Sequence, residues 1–466
     1  MYETRRQQLF DLLGDGIAVM KAASEATRNR DTEYEFRQDS DFYYVTGFEE
    51  PDSIAVLNPI HPTERFVLFV RPKDKEQETW VGRRAGVEGA IDAYGADAAY
   101  PLNSFDTKLR EYLLGASKVF CMTGTVATLV EEVAKSRAFS DRSGRVAPAA
   151  IADLEPLIAE MRLRKQEPEI ALLRKACEIS IAGHLAAMQG AGDGLRENQV
   201  QAIMEYTFRA EGSVRNGYPS IVASGPNACI LHYNENTRVM KDGELLLIDA
   251  AAEYGYYSAD ITRTFPVGGT FSPEQAAVYE VVLDAQNAAL SRIELGAPFQ
   301  SMHDAVREVI AAGLVDLGLL PNGYPTAMHH YREYFMHGTG HWLGMDVHDI
   351  GAYKTASGSR PLEPGMVFTV EPGIYVDPER RVLKLPLLEY DLDEWSERRY
   401  QLGVEAAKDL EKKEREAAGF VEHRIPDGFS GIGVRIEDDV AVTSSGYENL
   451  TAQLPRKLDE VEAACS

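Results

Sequence analysis

A chain of 466 residues with 44% apolar composition can bury a large core, and its 48 basic against 73 acidic residues leave a formal charge of −25. That sign repels nucleic-acid phosphates and anionic lipid, so neither is an expected partner. No run approaches the roughly 18 apolar residues of a membrane span, and the polar stretch from Met1 to Phe10 lacks the apolar core of a signal peptide.

In the first 160 residues or so, Ser53 to Leu57 and Arg65 to Val70 read as buried strands. Val87 to Ala93 and Asp106 to Leu114 read as helices, and Lys118 to Met122 as another strand. No phosphate-binding glycine motif accompanies this α/β pattern. Residues 151 to 189 read as two helices parted near Gln166-Glu167-Pro168, since proline suits a first helical turn. A domain boundary is expected there, giving domains 1–162 and 163–466. Beyond it, Glu197 to Glu211, Pro273 to Leu295 and Phe299 to Leu317 read as helices. Glu244 to Ala250, Asp260 to Val267, Met366 to Glu371 and Gly433 to Val442 read as strands. Glu405 to Ala418, inside a charged stretch at 377–430, reads as a solvated surface helix. The four cysteines, Cys121, Cys177, Cys229 and Cys465, include no C-x-x-C pair and suit a reducing compartment, hence a cytoplasmic protein.

Four of these apolar strands each deliver an acid. Asp249 ends the run Leu245 to Ile248, where a buried carboxylate needs a cation or several donors. Asp260 follows, and alternation places Asp260, Thr262 and Thr264 on one face of its strand. Glu371 precedes the turn Pro372-Gly373, and Glu437 shares a face with Arg435. A glycine-rich segment, His337-Gly338-Thr339-Gly340-His341-Trp342-Leu343-Gly344-Met345-Asp346-Val347-His348, adds three imidazoles. Its glycines disfavour the helix of an H-E-x-x-H zinc motif and suggest backbone held close to something. Four carboxylates and an imidazole form an oxygen-rich set suited to Mn, Co, Fe or Mg, and four acids exceed what one catalytic ion takes. Two ions would serve metal-assisted hydrolysis of an amide or ester.

The chain resembles aminopeptidase P, the Xaa-Pro aminopeptidases of the pita-bread metallopeptidases, along essentially its whole length. The resemblance rests on Phe36-Arg37-Gln38-Asp39-Ser40-Asp41, Trp80-Val81-Gly82-Arg83-Arg84, Leu231-His232-Tyr233-Asn234-Glu235-Asn236, the two aspartate strands, the histidine segment, Thr369-Val370-Glu371-Pro372-Gly373 and Gly433-Val434-Arg435-Ile436-Glu437-Asp438-Asp439. It implies an α/β N-terminal domain like those of creatinase and prolidase, with a mixed sheet. The C-terminal domain would be a pita-bread α+β catalytic unit. Asp249, Asp260, His341, Glu371 and Glu437 would bind two divalent metal ions, usually Mn2+, with Glu371 also acting as general base. The resemblance further implies that His232 and His348 contact the substrate, that His337 lines the site and that Arg435 supports the metal carboxylates. Tyr218 and Tyr375 would be pocket residues, and Trp80 would reach a neighbouring subunit of a homodimer or homotetramer. Substrates would be peptides with proline in the second position. A prolidase confined to Xaa-Pro dipeptides is the nearest alternative, and the long stretch at 374–432 is its best support. A non-enzymatic pita-bread binding module or a metal-free creatinase-like hydrolase is disfavoured by the filled ligand positions.

Overall fold

The computed structural model describes residues 1–122, 128, 130–131, 147–390 and 392–466. The chain divides into two compact units, Met1–Arg162 and Leu163–Ser466.

The first unit is built on a six-stranded sheet, in the order Ala98–Pro101, Phe66–Val70, Ile54–Leu57, Ile17–Lys21, Lys118–Cys121, Ala150–Asp153. Ile54–Leu57 runs antiparallel to both neighbours while the other pairs are parallel, so the sheet is mixed. The three strands expected here are present. Ile17–Lys21, Ala98–Pro101 and Ala150–Asp153 join them unannounced, the last where a helix was expected to begin. The charged N-terminus is structural. It forms the helix Tyr2–Leu13, in which Arg5 and Arg6 are buried. Their guanidinium groups donate to the carbonyls of Tyr44 and Val45 in the helix Ser40–Thr46, satisfying acceptors that a helix end leaves open.

The second unit sets long helices around short antiparallel sheets. Leu245–Asp249 lies between Ile221–Ser224 and Thr262–Pro266. Val367–Val370 pairs with Asp438–Thr443, and Gly373–Tyr375 pairs with Gly433–Arg435. The stretch expected as one strand from Gly433 to Val442 is therefore two, interrupted at Ile436 and Glu437. The helices Glu167–Gly190, Glu197–Ala210, Pro273–Leu290 and Gln300–Asp316 contribute their apolar faces to one core with these strands. Gly183 lets the first two approach: a Cβ there would meet the Phe208 ring at 2.3 Å.

Between Tyr375 and Gly433 the chain makes an excursion of its own. The strands Val382–Pro386 and Phe420–Arg424 pair antiparallel, and the helices Leu392–Leu402 and Val404–Ala418 connect them. Leu383 and Leu385 anchor the hairpin in the core. The expected surface helix is solvated along most of its length, with only Ala407 and Glu411 buried. No helix among the described residues is long and apolar enough to cross a membrane.

Candidate metal centre

All four acids sit where strands end or break. Asp249 is the last residue of a fully buried strand, and its register partner is Thr262. Its Oδ1 accepts from the Tyr218 hydroxyl at 2.7 Å and its Oδ2 from Arg435 Nη2 at 2.5 Å. Asp260 lies just before the strand Thr262–Pro266, with its backbone N–H donating to Asp439 Oδ2 at 2.9 Å. Glu437 occupies the break between Gly433–Arg435 and Asp438–Thr443. Its N–H donates to the Thr262 carbonyl at 3.1 Å, and its Oε2 accepts from Thr262 Oγ1 at 2.6 Å. Glu371 lies one residue past Val367–Val370, with its N–H held by the Thr339 carbonyl at 2.8 Å.

The glycine-rich segment is an extended strap laid along Val367–Val370. Thr369 N–H donates to the His341 carbonyl at 3.0 Å, and His341 N–H donates to Thr369 Oγ1 at 3.1 Å. A Cβ on Gly340 would stand 1.9 Å from the Thr369 carbonyl oxygen, so only glycine admits this approach. Trp342 is fully buried and stacks on Tyr353, which locks the residue next to His341. His341 Nδ1 lies 3.1 Å from the Trp342 carbonyl, which places the proton on Nδ1. Nε2 is left facing Asp260 Oδ2 at 3.2 Å and Glu371 Oε1 at 3.6 Å, the arrangement expected of a metal-binding imidazole.

Ligand atoms of Asp260, His341 and Glu437 all lie within 4.8 Å of one another. Electrostatics shows what the cluster lacks. Burial raises the Asp260 carboxyl, and Asp249 adds repulsion. Glu371 is pushed up to about 7 by burial and by the charges of Asp260 and Asp249, against the pull of His341 and Arg435. Glu437 is driven well above the usual carboxylate range by burial and by Asp260 and Glu371. Burial alone would lower His341, yet the hydrogen bond and charge of Asp260 lift it to about 9. More acid is gathered than one arginine balances, and protons fill the deficit. Divalent cations in place of those protons would relieve the repulsion, and the oxygen-rich donor set fits hard or borderline ions.

These groups open onto a cavity of about 440 Å3 lined by all five candidate ligands. His232, His337, His348, Arg435 and Tyr218 also line it, with Pro219, Ile221, Leu231 and Val347 as apolar wall. Among the described residues, none of the lining comes from the excursion at 377–430. Tyr375 is placed differently from the other expected pocket residues. Its hydroxyl stands behind the wall, accepting from Arg435 Nη1 at 2.9 Å and meeting His337 Nε2 at 2.9 Å. Burial, aided by Arg435, pushes His337 down to about 3, so the imidazole is neutral and takes the Tyr375 proton as acceptor. Trp80 lies on the helix Lys75–Val81 of the first unit with 81% of its surface exposed.

Sequence reasoning gave no task to Thr262, Thr369 or Asp439, which hold ligands in place. The second aspartate after Glu437 was a visible signal for the last of these, because two further acids beside a buried strand need partners. Asp438 finds its partner in Arg263 at 2.7 Å, both fully buried.

Residues 171–444 match the family model described as metallopeptidase family M24, and residues 2–120 match the model of the aminopeptidase P N-terminal domain. The chain belongs to metallopeptidase family M24. It is 37% identical to the Xaa-Pro aminopeptidase of Escherichia coli over 99% of this chain and 96% of that one. Human Xaa-Pro aminopeptidase 3 is 32% identical, over 100% of this chain and 85% of that one. Among solved structures, aminopeptidase PepP of Pseudomonas aeruginosa superposes with a TM-score of 0.88 at 40% identity, covering 100% of this chain and 97% of that one. The proline aminopeptidase P II of Yersinia pestis gives 0.85 at 37% identity, covering 100% and 98%. The two-part architecture expected from the motifs, an aminopeptidase P N-terminal domain followed by a pita-bread catalytic domain, is the one found.

Proposed function

We propose that this M24 member is a dinuclear-metal Xaa-Pro aminopeptidase, releasing the first residue of peptides whose second residue is proline. The observation that carries the reading is the convergence of Asp249, Asp260, His341, Glu371 and Glu437 on one cavity beside His232 and His348. The likeness to Xaa-Pro aminopeptidases over nearly the full length of both chains supports it. The five residues would hold two divalent ions, with Mn2+ the preferred candidate for so oxygen-rich a set. When bound, such ions supply Lewis acidity that acidifies the attacking water and polarises the scissile carbonyl.

The chain's own groups do the rest. Glu371, at the edge of the cluster, takes the proton of the attacking water and passes it toward the leaving proline nitrogen. The imidazoles of His232 and His348 face the cavity and donate to the peptide carbonyl as charge develops on its oxygen. Arg435 balances Asp249 and, through Tyr375, fixes the neutral tautomer of His337. Pro219, Ile221, Leu231 and Val347 give an apolar wall suited to a ring that offers no amide N–H. The exposed Trp80 is read as the aromatic that meets a neighbouring subunit in a homodimer or homotetramer, and the setting as the cytoplasm.

A prolidase would use the same metals. The described residues that line the cavity come from outside the 377–430 excursion, which favours the aminopeptidase over an enzyme whose site the excursion shortens. The test is hydrolysis of an Xaa-Pro-Xaa tripeptide after chelation and again after Mn2+ is restored. Cleavage that stops and returns, freeing the first residue alone, is expected. Cleavage confined to Xaa-Pro dipeptides would overturn the aminopeptidase in favour of the prolidase.

A further inference from the structure

The segment that presents Leu231, His232 and Asn234 to the cavity runs from Ser224, the last residue of the strand Ile221–Ser224, to Arg238, and past that strand its only regular element is the short 3-10 turn Gly225–Cys229. Such a loop needs an external frame to hold an imidazole in register. Glu197, the first residue of the helix Glu197–Ala210, is fully buried against it. Its Oε1 accepts from Ser224 N at 2.8 Å, Ser224 Oγ at 2.7 Å and Asn227 Nδ2 at 3.0 Å. Its Oε2 accepts from the Tyr233 hydroxyl at 2.7 Å and from Arg238 N at 2.9 Å. The Glu197 N–H returns a bond to the Arg238 carbonyl at 3.0 Å, so both ends of the segment and the residue beside His232 meet at one carboxylate.

An acid in the first turn ordinarily serves its own helix, through the dipole or by capping free N–H groups. Here none of the five donors belongs to that helix. All are on the loop. The same helix grips the segment again through Gln201, whose Oε1 accepts from Asn236 Nδ2 at 2.9 Å. Asn236 has the left-handed φ of 51° and also bonds Ser220 O and Val222 N.

We infer that Glu197 is a positioning residue for the peptidase reaction: it sets the place of His232 by clamping the Ser224–Arg238 segment. The inference rests on reading His232 as a substrate contact. Five donors and no acceptor surround the group, so an acceptor-only carboxylate matches them, while a glutamine amide of the same size turns N–H against N–H or O–H.

The test is Glu197→Gln, with Tyr233→Phe as a milder variant that removes one donor beside His232. In Mn2+-loaded E197Q, kcat/KM on an Xaa-Pro-Xaa tripeptide should fall by about tenfold or more, as misplacement of a reacting group by an ångström can cost about a hundredfold. Y233F should lose less. Mn2+ affinity by calorimetry should stay within about twofold of wild type, because all five candidate ligands lie on other segments. Amide hydrogen exchange should quicken across 225–238 and not across the metal-bearing strands; this readout needs no activity and stands even if the tripeptide is not the substrate. Unchanged exchange in that segment, or Mn2+ affinity falling in step with activity, overturns the inference. So does intact kcat/KM in a folded variant with a lowered melting temperature. If E197Q does not fold, Y233F is judged by the same readouts.

Discussion

Two threonines on the same face of one strand separate what supports a ligand from what supports the fold. Thr262 and Thr264 are both fully buried. Thr262 Oγ1 donates to Glu437 Oε2 at 2.6 Å and accepts from Arg435 Nε at 3.0 Å. Thr264 Oγ1 touches only backbone, donating to the Arg435 carbonyl at 3.0 Å and accepting from its N–H at 3.2 Å. Valine replaces either side chain at nearly equal volume, so no cavity opens and the hydroxyl alone is read. T262V strips one partner from a carboxylate and one from a guanidinium, each bond to a charged group contributing about 1.5–3 kcal/mol. With Glu437 released, affinity for Mn2+ should fall about 10–100-fold, the range seen when an outer partner of a metal ligand is lost. That range equals about 1.4–2.7 kcal/mol, which overlaps the hydrogen-bond range almost throughout, so the two routes to the magnitude agree. T264V loses two neutral bonds of about 0.5–1.5 kcal/mol each and should lower the melting temperature while Mn2+ affinity moves less than about threefold. Calorimetric titration of Mn2+ into chelator-stripped protein, with thermal unfolding of the same samples, measures both. Equal shifts in affinity for the two variants, or wild-type affinity in T262V, would refute the reasoning.

Two further predictions follow from groups around the site. Gly340→Ala should cost Mn2+ affinity at least about tenfold and lower thermal stability, because its Cβ meets backbone that cannot move aside. Gly338→Ala, with its nearest obstacle at 3.9 Å, should bind metal like wild type, and equal behaviour of the two would discard the strap geometry. His184 Nε2 donates to the Ala250 carbonyl, 2.8 Å away, and burial pushes the imidazole from 6.5 down to about 4. Between those values the unfolded chain binds the proton and the folded chain does not. The contribution is therefore whole above pH 6.5 and is lost as pH falls toward 4, on the order of 3 kcal/mol in all. His184→Leu should flatten the drop in melting temperature between pH 7 and pH 5, and an unchanged acid slope would remove His184 as its cause.

What could be read from the chain alone follows the range of the interactions concerned. Apolar runs such as Leu245 to Ile248 and Phe66 to Val70 declare strands because burial on both faces leaves no polar position. Ile17–Lys21, one of the two central strands of the first sheet, is as fully apolar over four residues, yet it follows a charged helix whose arginines are buried. The charged, polar composition of Met1 to Phe10 gave no sign of burial, which the partners at Tyr44 and Val45 explain. The break at Ile436 and Glu437 was equally silent, since alternation continues across it. It arises because Glu437 is bonded sideways to Thr262, from a different sheet, and that contact spans 175 positions of sequence. Tyr375 could be placed near the site by motif, but its position behind the wall depends on Arg435 and His337 arriving from two other segments.

The same long-range bonds explain why four acids can share so small a volume in the folded chain. Asp260, Glu371 and Glu437 each have the backbone N–H fastened by an oxygen of another segment of the site: Asp439, Thr339 and Thr262 respectively. A carboxylate inside a regular ladder would have its backbone committed to the neighbouring strand and its side chain to one face of the sheet. At a strand end or break the N–H is released, and here each is taken up by the very segment that carries or flanks the next ligand. The repulsion among the acids therefore works against a braced frame rather than against single rotamers, and it is stored as raised carboxyl pKa values instead of being relieved by movement. Cutting one brace, as T262V does, lets that repulsion act on position. This is why the loss should appear in metal affinity before it appears in the fold.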